Sequence, residues 1–233
     1  MKLNKFVLSV VAALLAAVPA IAEKVEVKKV DFARVKSVTH NPESRYYYPK
    51  LMEKFLNNAP TDMDIEDYRN FYFGYVFQED YNPYRKSVYS EKVENLYYQK
   101  SRERNDCDSI QKYAELSVYD NLFDLDQLEY YCIALKDKKK HTLYQIREKK
   151  LDMLIRAIMT SGRGTKDEPW VVICPAHEYY IINSLGYQAI GYEALDGGID
   201  YIKVEPKEGS KVEGFYFDVS QMLAEAKRKG FDD

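Results

Sequence analysis

Cysteine and histidine are scarce in this chain, with three of each among 233 residues. Cys107, Cys132 and Cys174 are too few for a disulfide scaffold, which is short and cysteine-dense. His40, His141 and His177 are just as scattered, and no Cys or His spacing matches a zinc site. No metal or other cofactor is therefore expected. Basic excess is lacking too: the net charge is −3, which argues against nucleic acid or an anionic membrane surface as the partner. A nucleotide-binding glycine loop is also missing. Gly162-Arg163-Gly164-Thr165-Lys166 has the wrong spacing and reads as a flexible linker.

Long apolar runs are confined to the start. Lys2 and Lys5 precede the apolar stretch from Phe6 to Val18, which Pro19 breaks before Ala20-Ile21-Ala22. This is the pattern of a cleavable export signal, with cleavage expected between Ala22 and Glu23. The run falls short of the roughly 20 residues a membrane-spanning helix wants. No cysteine follows it for lipid attachment. The expectation is a signal peptide over 1–22 and an exported mature chain, periplasmic or secreted, soluble and not inserted in a membrane.

What the chain does have is tyrosine, 22 in all, and 11 of them lie from Tyr46 to Tyr98. Residues 23–43 read as an extended arm with one short strand through Val25, Val27, Val30 and Phe32. Ser44 is an N-cap candidate for a helix carrying Tyr47, Leu51, Met52 and Phe55 on one face. The next helix is marked by Asp62, Asp64, Glu66 and Asp67 at its positive end. Ile65, Tyr68, Phe71, Tyr72, Tyr75 and Val76 form one apolar face, with Phe73 and Phe77 on a second flank and Gly74 between them. A helix apolar on two sides is expected between neighbours. Further helices are expected over 85–100, 108–118, 122–135 and 143–159, joined by short connections that favour antiparallel packing. The pair either side of Asp120-Asn121 looks like a tetratricopeptide hairpin, but no repeat of about 34 residues follows. Cys107 and Cys132 lie about equally far from that turn, so a disulfide between them is possible.

After Gly162 the pattern changes. Trp170 to Cys174 reads as a buried strand, and His177 to Leu185 as a short helix closed by Gly186. Tyr187–Leu195 and Ile199–Glu205 flank Asp196-Gly197-Gly198, a hairpin signal. Val212–Val219 alternates, and Ser220 opens a final amphipathic helix. The fold class read from this is α+β: helical hairpins over 23–160, then a small, largely antiparallel sheet with two helices over 161–233.

Several of these stretches resemble one family. They are Ser44-Arg45-Tyr46-Tyr47-Tyr48-Pro49, the run from Asp67 to Gln78 around Gly74, Tyr81-Asn82-Pro83-Tyr84, Ser161-Gly162-Arg163-Gly164-Thr165, His177-Glu178-Tyr179, and Phe215-Tyr216-Phe217-Asp218-Val219. Together they resemble the exported Bacteroidota family known as domain of unknown function 4919. The resemblance implies export and architecture. It assigns no functional residues.

Chemistry-bearing clusters are few. Cys174-Pro175-Ala176-His177-Glu178 gathers a thiol, an imidazole and a carboxyl, the makings of a Cys–His nucleophile pair. The competing reading is a thiol buried at the end of an apolar strand and a glutamate favouring a helix start. The acidic run from Asp62 to Asp67 lacks the glycine of a calcium loop and fits helix capping. Tyr46, Tyr81, Tyr84 and Tyr98 lie near helix ends and are the tyrosines expected at the surface, where a rigid ring with a polar tip suits binding. The leading functional reading is a non-catalytic module that binds an envelope protein or peptide on its helical surface. The alternatives are a glycan-binding accessory protein using those tyrosines and a hydrolase centred on Cys174 and His177.

Overall fold

The computed structural model describes residues 26–57, 59–60, 62–99 and 104–231. The expected cleavage site at Ala22 and Glu23 lies outside them. The chain divides into two compact units. One is helical and comprises Asp31–Ala157 with residues 224–231. The other contains the sheet and comprises Ile158–Leu223 with residues 26–30.

In the helical unit, α1 (Phe32–His40) stands where an extended arm was expected. Asp31 decides the difference: its side chain accepts from the Arg34 amide at 2.9 Å and starts a helix that buries Val35 and Thr39. α2 (Tyr48–Leu56) begins later than Ser44 suggested. Ser44 instead accepts from the Tyr46 amide in a turn, and Pro49 sets the first helical turn. α3 (Ile65–Gly74) has a reciprocal capping box, with the Asp67 amide on Asp64 at 2.9 Å and the Asp64 amide on Asp67 at 3.0 Å.

α3 is enclosed on two sides, as its two apolar flanks require. Phe71 lies 5.0 Å from Phe55 and 5.3 Å from Tyr48 of α2, and 4.9 Å from Phe123. Phe73 meets Phe32 of α1 edge-on at 6.0 Å. Gly74 lies against the same helix: a β-carbon there would come within 2.7 Å of Thr39 Cγ2. A short 3-10 turn, Tyr75–Phe77, ends this element.

α4 covers only Ser90–Tyr97, not 85–100. Side chains hold the missing turns open, because Asn82 accepts from the Tyr84 amide and Ser87 from the Tyr89 amide. α5 (Arg104–Asp120) and α6 (Leu125–Asp137) form the expected hairpin, with Asp124 capping α6 through the Gln127 amide. Val93, Ile110, Ala114, Tyr131 and Leu135 form its core. No disulfide joins any of Cys107, Cys132 and Cys174 in the structure. α7 (His141–Met159) supplies a buried Lys150, which donates to the carbonyls of Phe55 and Asn57. It thereby satisfies acceptors left open at the end of α2.

In the sheet unit, β1 (Trp170–Val171) is shorter than expected, because Cys174 already occupies the N-cap of α8 (Pro175–Ser184). β2 (Ala189–Leu195), β3 (Ile199–Val204) and β4 (Gly214–Asp218) complete a sheet of order β1-β4-β3-β2. β2–β3–β4 are antiparallel, while β1 joins β4 in parallel, pairing Trp170 with Phe217. The sheet is therefore mixed. Trp170 stacks on Phe215 at 5.3 Å and donates to the Gly162 carbonyl at 3.1 Å. Gly164, at φ +68°, lies under that indole with no room for a β-carbon. The glycine-rich stretch is thus packed loop, not flexible linker. Gly186 closes α8 at φ +74°, the left-handed cap its position foretold. α9 (Ser220–Arg228) is the last helix.

Candidate functional site

The Cys174–Glu178 segment forms the start of α8, and Pro175 fixes its first turn. Cys174 is half-buried at the N-cap, not sealed in a strand as expected. His177 and Glu178 point inward and are 2 % and 1 % exposed. Glu178 is buried beside Asp200 of β3, itself buried, and its Oε1 has no hydrogen-bond partner. Burial, and after it the charge of Asp200, push the Glu178 carboxyl up to about 9, so it holds a proton at neutral pH. Tyr192 of β2 donates to the other carboxyl at 3.0 Å from Asp200 Oδ1.

Chemically this is a pair of neighbouring buried acids where a helix meets a hairpin. Asp200 was not singled out from the sequence. Its signal was there: in Asp200-x-Ile202-x-Val204 an acid occupies the first of three inward positions.

The four tyrosines expected at the surface separate. Tyr84 is 53 % and Tyr98 71 % exposed. Tyr46 is half-buried, with the guanidinium groups of Arg45 and Arg34 at 5.0 and 5.7 Å from its ring. Tyr81 is buried, a correction to the expectation: its ring meets Tyr75 edge-on at 5.3 Å, and Lys229 covers it at 5.8 Å. The loop it opens folds inward. Tyr98 is the outer member of a cluster, its hydroxyl 3.0 Å from that of Tyr130.

Tyr84 belongs to a built surface. The loop from Tyr84 to Ser90 runs along α5 from Asp120 back to Tyr113. Arg85 donates to the Asp120 carbonyl at 3.0 Å, and Asn121 returns a bond to the Arg85 carbonyl at 3.1 Å. Ser90 and Ser117 hydroxyls lie 3.2 Å apart, and the Tyr89 and Tyr113 rings stack at 6.1 Å. This clamped stretch carries Tyr84, Val88 at 84 %, Leu116 at 36 % and Tyr119 at 53 % exposure. Neither Val88 nor Tyr119 was singled out in the sequence, where Val88 falls inside the helix expected over 85–100. A depression of about 330 Å³ lies nearby, lined by Glu79, Asp80, Tyr81, Asn82, Arg85, Lys229 and Phe231. Its cations are engaged by backbone carbonyls.

Among the described residues, no group of His, Cys, Asp and Glu is arranged to hold a metal ion, and no helix is long and apolar enough to cross a membrane.

The fold is α+β, a set of helices followed by a small mixed sheet. The chain belongs to the family described as Domain of unknown function (DUF4919), whose profile matches residues 33–228 and so includes both units. No curated protein and no solved structure matches the chain.

Proposed function

We propose that this chain is an exported, non-catalytic module that binds a partner protein or peptide on its helical unit. The clamped loop–helix surface carries the reading. Tyr84, Val88, Leu116 and Tyr119 are large apolar groups held outward by a backbone that side-chain bonds fix in place. Pre-organised tyrosines on a rigid support bind at low entropic cost. The sequence motif that favoured a hydrolase supports it less, because Glu178 is buried beside Asp200.

Affinity capture from the native envelope, quantified by mass spectrometry, tests this. A specific partner retained by the wild type should be lost by Val88→Asp and by Tyr84→Ala while both variants melt like the parent. Retention by both variants overturns the reading. Binding to a glycan array that survives Val88→Asp but is lost with Tyr98→Ala would favour the carbohydrate alternative.

A further inference from the structure

Among the described residues no strand pairs with the outer edge of β2. An edge strand offers a row of unpaired N–H and C=O groups, a template for another chain. Edges are commonly blunted with lysine, proline or a covering element. β2 contains no lysine and no proline, and its five interior residues are exposed. Its register irregularity falls at the start, between Ala189 and Gly191, and pairing with β3 is regular from Gly191 to Leu195.

The side chains beside this edge narrow the partner. Tyr192 and Ala194 share a face with Ile202 and Asp200, their partners on β3, and this is the face where α8 lies. Tyr179 of α8 and Tyr192 are 41 % and 58 % exposed there, and Ile190 is 48 % exposed. From residue 188 to 200 the chain carries Glu193, Asp196 and Asp200 and no lysine or arginine. The one base of β3, Lys203, pairs with Gly191 on the inner side. Two copies of such an edge would bring acids to acids, which is unfavourable. A cationic strand would meet opposite charge along the same line.

We propose that the outer edge of β2 takes up an extended, lysine- or arginine-bearing peptide segment of a partner as a fifth strand. Backbone bonds to β2 supply the pairing. Tyr179 and Tyr192 flank one face of the incoming strand, and Glu193 and Asp196 select its charge. This interaction is independent of the helical surface described above, and either can fail without the other.

The test uses the mature protein and a synthetic peptide of about eight residues alternating lysine with valine, the usual length of a strand. Calorimetry should show binding that weakens with added salt, and hydrogen exchange should slow at the amides of residues 190–194. The double variant Glu193→Lys, Asp196→Lys should bind at least about tenfold more weakly while melting like the parent. If that variant misfolds, Glu193→Gln, which should bind severalfold more weakly, decides. Four results would overturn the proposal: no binding of the lysine peptide, equal binding of a glutamate–valine peptide, undiminished binding after N-methylation of alternate peptide amides, or slowed exchange of 190–194 by self-association without peptide.

Discussion

The Glu178 carboxyl of α8 is buried beside the Asp200 carboxyl of β3, where helix meets hairpin, and burial with the neighbouring acid raises its pKa. Its folded-state value of about 9 lies above the ordinary 4.5. The folded protein therefore keeps a proton that the unfolded chain releases. That contribution to stability is complete below the unfolded value of 4.5 and is lost as the pH rises towards 9. Thermal melts across this range should show the wild type losing stability with rising pH and Glu178→Gln losing much less. Parallel curves would refute the raised Glu178 carboxyl.

Gly74 and Thr39 set the distance between α3 and α1. Alanine at 74 gains up to about 1 kcal/mol of helix propensity, yet its methyl would sit 2.7 Å from Thr39 Cγ2. Overpacking of that kind costs about 1–3 kcal/mol. Gly74→Ala should therefore be neutral to destabilising. Thr39→Ser removes the obstructing methyl but keeps a hydroxyl for the Val35 carbonyl, now bonded at 2.8 Å. The double variant should recover stability beyond the sum of the two single changes, by about 1 kcal/mol in denaturant titration.

The tyrosines divide by burial. Tyr72 is wholly buried beside Phe73 and Phe123, at ring distances of 5.0 and 5.7 Å. Tyr72→Ala should cost about 3–5 kcal/mol, and Tyr81→Ala should join it in the large-effect class. Tyr84→Ala should change stability by no more than about 0.5 kcal/mol. Denaturant midpoints of the three variants check the ranking.

The thiols should react in order of burial. Cys132 is 5 % exposed, and burial pushes its thiol up to about 12. Cys107 and Cys174 are half-buried. Iodoacetamide at neutral pH should modify Cys107 and Cys174 well before Cys132, as read by peptide mass. All three should react once the protein is unfolded without reductant. A Cys132 that stays unreactive after unfolding would instead establish a disulfide there.

Much of the architecture was legible because local physics repeats along the chain. The two flanks of α3, its acidic capping run, the hairpin at Asp196–Gly198 and the glycine closing α8 are each fixed within a few residues of sequence. The Asp31 cap of α1 was equally local but hidden, since Val30 and Phe32 on either side of it alternate like a strand. Tyr81 and Tyr84 stand three apart either side of Asn82-Pro83, and nothing local distinguishes them. Tertiary structure does, by placing Lys229 and Tyr75 against the first and open solvent against the second. The same holds for Glu178 and Asp200, 22 residues apart. The sequence alone determined the fold class and the helix and turn signals, because propensity, capping and periodicity act over short range. Only the tertiary structure decided which acid holds a proton, which tyrosine faces water and which strand edge stays open, because burial and charge depend on groups that the chain brings together from far apart.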